Sequence, residues 1–100
     1  MKLKLLVRED GAEILMEGRL DSNTAPQTEE LLKGQAEQYD KLILNLAGLE
    51  YISSAGLRTL KVLHLYMVKK GGRLVLKNAG KTVMEVFEMT GFAGLLYFEA

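Results

Sequence analysis

Apolar residues recur at every second position in some stretches of this chain and at every third or fourth in others, and the two periods take turns from one end to the other. A period of two marks a strand with one buried face, and a longer apolar stripe marks a helix. Strands that alternate with helices pair in parallel through right-handed crossovers, so this rhythm points to an α/β sheet. The first strand is Leu3, Leu5 and Val7 set between Lys2, Lys4 and Arg8, with lysines that suit an unprotected edge. Asp10-Gly11 predicts a two-residue hairpin turn with positive φ. The chain then returns from Ala12 to Gly18, with Ile14 and Met16 on one face, as an antiparallel second strand.

After Gly18-Arg19-Leu20-Asp21, the run Ser22-Asn23-Thr24 supplies helix caps, and Thr24 with Gln27 fits a capping box. Ala25, Thr28, Leu31, Leu32, Ala36 and Tyr39 form the apolar face of a first helix, with Pro26 in its first turn and Gly34 as its one flaw. Lys41 to Leu46 reads as a central strand buried on both faces or nearly so, ending at a turn at Ala47-Gly48. A second helix runs from about Ser54 to Lys70 and stops at Gly71-Gly72. Arg73–Lys77 is a fourth strand, a third helix starts near Lys81 and ends at Gly91, and Leu95–Phe98 closes the chain. The expectation is one domain over residues 1–100: a mixed, mostly parallel sheet with an N-terminal antiparallel hairpin and about three packed helices.

Composition narrows the chemistry. No cysteine among the 100 residues removes disulfides, thiol nucleophiles and Cys-ligated metals, and a single histidine removes His-pair sites, so neither a metal nor a cofactor is expected. With 13 basic against 13 acidic residues there is no electrostatic surplus for nucleic acid. The N-terminal run meets Glu9-Asp10 too early for a signal peptide, and no stretch is long and apolar enough for a membrane span, which together suggest a soluble cytoplasmic protein without membrane insertion. Gly80-Lys81-Thr82 imitates the end of a P-loop, but Val75 stands where the motif needs glycine. His64 lies ten residues beyond Ser54 on one helix, or about 15 Å along its axis, too far to serve as its base. It fits a packed histidine among Leu57, Leu60 and Met67. Lys69 and Lys70 complement the negative end of their own helix. The five methionines and four tyrosines fall at core and rim spacings and mark no sticky face.

Ser53-Ser54-Ala55-Gly56-Leu57 lies where a strand passes into a helix. Serine is a preferred N-cap there, so capping alone explains the pair. A phosphoserine at the same place would set about −1.5 to −2 charges against the positive end of the helix, which favours the modified form.

Tyr51-Ile52-Ser53-Ser54-Ala55-Gly56-Leu57-Arg58 resembles the signature of the STAS family, specifically of bacterial anti-sigma factor antagonists. Gly18-Arg19-Leu20-Asp21 with Thr24-Ala25, Leu42–Leu46 and Thr90-Gly91-Phe92 resemble further parts of the same family in the same order. The resemblance implies a STAS-like fold and no enzymatic activity. It also implies a switch: unmodified, the protein binds an anti-sigma factor that is a serine kinase and so releases a sigma factor, and phosphorylation at Ser54 ends that binding. Ser53 stands where the family usually carries Asp, which makes it the alternative acceptor. The partner surface would comprise Asp21, Ser22, Asn23, Thr24, Ser53, Ser54, Ala55, Gly56, Leu57 and Arg58 on a monomer or weak dimer. Two other readings are a non-phosphorylated STAS subunit of a transporter or sensory complex, and a small hydrolase with Ser54 as nucleophile.

Overall fold

The computed structural model describes residues 1–99. Its strands are β1 (Lys2–Arg8), β2 (Gly11–Leu20), β3 (Lys41–Ile52), β4 (Arg73–Lys77) and β5 (Tyr97–Phe98), and its helices are α1 (Ala25–Gln38), α2 (Ser54–Lys69) and α3 (Lys81–Thr90), with a 3₁₀ turn at Phe92–Gly94. The sheet runs in the order β1-β2-β3-β4-β5, antiparallel between β1 and β2 and parallel thereafter. Each crossover steps to the next strand in the same direction, so right-handed connections lay all three helices on one face. Burial follows that geometry. Ala12, Ile14 and Met16 of β2, Leu42, Leu44 and Leu46 of β3, and Leu74 and Leu76 of β4 form one cluster with Leu32, Leu60, Leu63, Met67 and Phe87 of the helices. Glu13, Leu15, Ile43, Asn45, Val75 and Lys77 alternate with them and point to the opposite, helix-free face.

The fold class, the hairpin and the element order match the expectation, while several local details differ. Arg8 pairs with Gly11, so the hairpin loop is Glu9-Asp10, and neither residue has positive φ. Gly11 serves another need: a Cβ there would strike the Lys41 carbonyl at the start of β3. Nor is there a turn at Ala47-Gly48, for β3 continues to Ile52 and β2 to Leu20, with register shifts between Leu15 and Glu17 and between Gly18 and Arg19 that absorb the irregularity. A Cβ on Gly48 would meet the Glu17 side chain at 2.7 Å, so its glycine marks a close strand approach. β3 is fully buried only toward the helices, because Lys41, Ile43 and Asn45 lie half-buried on the bare face. Leu31 is exposed, since the sheet ends at β1 with nothing beyond it to cover that side of α1. The final strand begins only at Tyr97 because a 3₁₀ turn takes up the chain before it.

Lys70 does not serve its own helix. Its ammonium crosses to the end of α1 and donates to the carbonyls of Ala36 at 2.7 Å and Tyr39 at 3.3 Å, satisfying groups that a helix C-terminus leaves open.

Candidate functional site

The site forms where β2 and β3 end side by side. The Ser53 N–H donates to the Leu20 carbonyl at 2.9 Å, which ties the end of β3 to that of β2 just before α2 begins. Ser53 is the N-cap: its backbone is extended, its Oγ accepts the Gly56 N–H at 3.4 Å, and its carbonyl accepts the Leu57 N–H at 2.9 Å. Gly56 is pressed against β2, and a Cβ there would lie 2.8 Å from the Leu20 carbonyl oxygen and from the Ile52 and Leu20 side chains. Ser54 is thus the first helical residue. It is exposed, and its hydroxyl has no hydrogen-bond partner among the described residues.

Capping thus divides the two serines. One oxygen is held by the helix and the other faces solvent at its positive end.

The loop before α1 is locked by its own polar groups. Asp21 Oδ1 accepts the N–H groups of Asn23 at 2.9 Å and Thr24 at 3.2 Å, and the Asn23 amide is the main cause that holds the Asp21 carboxyl below the usual range. Thr24 Oγ1 accepts the Asp21 N–H at 3.0 Å and donates to the Arg19 carbonyl at 2.8 Å. No capping box with Gln27 forms, because the Thr24 backbone is helical and its hydroxyl is already engaged behind the helix. Arg19 lies 4.2 Å over the Tyr51 ring, a cation–π contact that braces the same corner.

Two grooves meet along α2. Ser22, Pro26 and Glu29 wall the first, opposite Ser54, Ala55 and Arg58, and Thr59 Oγ1 donates to Glu29 Oε1 at 3.3 Å to join the two helices. The second also holds Ser54 and Arg58, with Leu57, Lys61, Leu65 and Phe92. Ser54 and Arg58, one helical turn apart, therefore border both.

The structure brings Ser22, Ser54, Ala55 and Arg58 to one groove and Leu57 to the other. Asp21 and Thr24 shape the loop, Gly56 is buried under the helix start, and Asn23 lines neither groove. Lys61, Val62, Leu65, Thr90 and Phe92 also line the second groove but were not among the residues expected at the partner surface. Positions 54, 58, 61, 62 and 65 do recur at helical spacing, but the stronger buried stripe of α2 masks that second stripe. Met89, the most exposed large apolar side chain, lies outside the core and rim positions expected of the methionines.

What the site offers is an exposed hydroxyl at a helix N-terminus, bordered by two grooves. A phosphate on Ser54 would meet the helix N-terminus and stand one turn from the Arg58 guanidinium. His64 is 6% exposed, with a buried Nδ1, and packs edge-on against Tyr97 at 5.7 Å between ring centroids, a core position remote from the Ser54 hydroxyl.

Residues 5–99 match the STAS domain family, and the chain belongs to it. Its relatives within that family include anti-sigma factor antagonists. BtrV of Bordetella bronchiseptica, which carries that name, is 36% identical over 81 residues, covering 80% of this chain and 70% of that protein. The anti-sigma-B factor antagonist of Bacillus subtilis is 28% identical over 92 residues, covering 92% of this chain and 84% of that one. Among solved structures, the antagonist SpoIIAA in its unphosphorylated form superposes with a TM-score of 0.75 at 20% identity, over 99% of this chain and 88% of its own. The phosphorylated form of SpoIIAA gives 0.74 at the same identity, over 99% and 92%.

Proposed function

We propose that this chain is an anti-sigma factor antagonist of the cytoplasm: a binding module that docks on an anti-sigma factor with serine kinase activity, frees the sigma factor, and is switched off by phosphorylation at Ser54. The observation that carries the reading is the division of labour between the two serines. Ser53 Oγ accepts a backbone N–H of α2, so modifying it would uncap the helix, whereas Ser54 Oγ is exposed and unengaged. Added charge at the first helical position is tolerated by the helix end, so the switch acts on binding and not on folding. At a docked surface a misplaced charge costs several kcal/mol, and each 1.4 kcal/mol is about tenfold in affinity. The grooves on either side of Ser54 and Arg58 supply the contacts that such a charge would disturb.

The test joins mass mapping to calorimetry with the anti-sigma kinase that binds the chain. With ATP one phosphate is expected, on Ser54. The Ser54→Asp protein should melt close to the parent and lose at least about tenfold in affinity. Ser54→Ala should bind as the parent does and resist switching. A phosphate on Ser53 would move the acceptor, and a kinase that binds without modifying either serine would favour a STAS subunit regulated without phosphorylation. Equal affinities of the Asp and Ala proteins would reject the switch.

A further inference from the structure

The sheet has two unlike edges. β5 has two residues, short enough to be a poor template, whereas β1 pairs with β2 over seven consecutive residues without a register shift and contains no proline. Its outer rim of backbone groups is therefore long and regular. Its charged side chains, Lys2, Lys4 and Arg8, share a face with Glu17, Leu15 and Gly11, away from the helices. Toward the helices, Leu3, Leu5 and Val7 form an apolar row with no charge in it, beside a groove lined by Leu5, Ile14, Leu31, Leu32 and Gln35. Leu5 is 42% exposed, Val7 68% and Leu31 53%, so apolar surface lies along the one edge able to accept another strand.

We propose that two copies of this chain pair antiparallel through β1 about a two-fold axis at Leu5, joining two sheets into one continuous sheet. A two-fold interface must be self-complementary, and the register decides whether this one is. Only an axis at a residue keeps the two apolar rows on one side. Centred on Leu5, the seven residues of each β1 overlap completely: Leu5 faces the partner's Leu5, Leu3 faces the partner's Val7, and Leu31 of each copy flanks the apolar row. On the other side Lys4 faces the partner's Leu6. Like charges are opposed where Lys2 faces the partner's Arg8, once at each end of the seam, and each of these residues already has an acid beside it, since Glu17 is the cross-strand neighbour of Lys2 and Glu13 bonds Arg8 at 2.8 Å. An axis at Lys4 would oppose Lys4 to itself, and an axis at Leu6 would oppose Lys4 to Arg8 and Leu3 to Glu9. The β1–α1 edge is separate from the grooves at Ser54, so pairing leaves that surface open.

Sedimentation equilibrium of the intact chain from about 1 μM to about 1 mM is the primary test, and a reversible dimer is expected within that range. The double variant Leu5→Lys/Val7→Lys should weaken pairing at least about tenfold while keeping the parent's circular dichroism and a cooperative melt, because both side chains are exposed at the edge when the chain is alone and a lysine stem can cover the groove that Leu5 lines. Register is read with single cysteines, which the cysteine-free chain makes unambiguous. Leu5→Cys should oxidise readily to a linked dimer, since opposed residues on antiparallel strands sit about 4.5 to 5.5 Å apart between Cα atoms, within disulfide reach. Val7→Cys, four residues out of register with its copy, should not. A chain monomeric throughout the range, a dimer indifferent to the two lysines, or preferential linkage through Val7→Cys overturns the proposal.

Discussion

Glu13 looks in the sequence like any polar residue on the solvent side of a half-buried strand, between Ala12 and Ile14. In the fold it is 3% exposed. Arg8 at 2.8 Å from β1, Lys77 at 3.0 Å from β4 and Asn45 at 3.1 Å from β3 converge on its carboxylate, so one side chain ties four strands together on the helix-free face. Burial by itself would push the Glu13 carboxyl up, but the hydrogen bonds from Arg8, Lys77 and Asn45 outweigh it and hold the group down to about 2. A depressed carboxyl contributes stability that is complete above its unfolded pKa, near 4.5, and is lost as pH falls through that value toward about 2. Glu13→Gln should therefore cost on the order of 1 to 3 kcal/mol at neutral pH and much less near pH 2. Urea midpoints of parent and variant at several pH values would show it. Parallel lines down to acid pH would mean that the charge network contributes nothing.

At the scale of elements, α1 shows a defect and its remedy. Gly34 lies mid-helix with open space where a Cβ would go, so its cost is that of glycine in a helix. Gly34→Ala should stabilise the protein by about 0.5 to 1 kcal/mol, a rise of roughly 3 to 6 °C in melting temperature. A fall instead would show that the position makes a contact only glycine permits. At the other end of the helix, Lys70 holds carbonyls that α1 lacks basic residues to satisfy. Lys70→Met keeps most of the side-chain length and removes the ammonium, and should lower stability by about 1 to 2 kcal/mol. A thermal melt unchanged from the parent would show those carbonyls to be equally well served by water.

Across the whole molecule, stability should be graded by position in the sheet. The Lys41–Asn45 stretch of β3 is hydrogen-bonded on both sides, and Leu42 and Leu44 within it are wholly buried under the helices. Its amides should open only when the whole fold opens. The 3₁₀ turn at Phe92–Gly94 and the two-residue β5, an edge strand paired only with β4, should exchange earliest. Native-state hydrogen exchange would read this order directly, and early exchange in β3 would contradict it. The same layering explains why α2 can present Ser54 without risk to the core: its N-terminus is anchored by Ser53 and Gly56 on the sheet, while Leu60, Leu63 and Met67 lie in the buried cluster.

Periodicity and turn chemistry determined the elements, their order and their direction, because an apolar stripe and a glycine stop act through neighbours a few residues away. They also marked Ser53-Ser54 as the entry to α2 and Gly91 as the end of α3, where the backbone turns left-handed. Only the tertiary structure decided which serine caps the helix, since that depends on the backbone conformation imposed when β3 is tied to Leu20. It alone assembled the Glu13 network, the reach of Lys70 to α1 and the grooves on either side of Ser54, each of which joins at least one pair of residues about thirty or more positions apart in the chain. It alone left Leu31 and Val7 uncovered, because exposure of an apolar stripe depends on whether another layer exists to meet it, and at β1 the sheet ends.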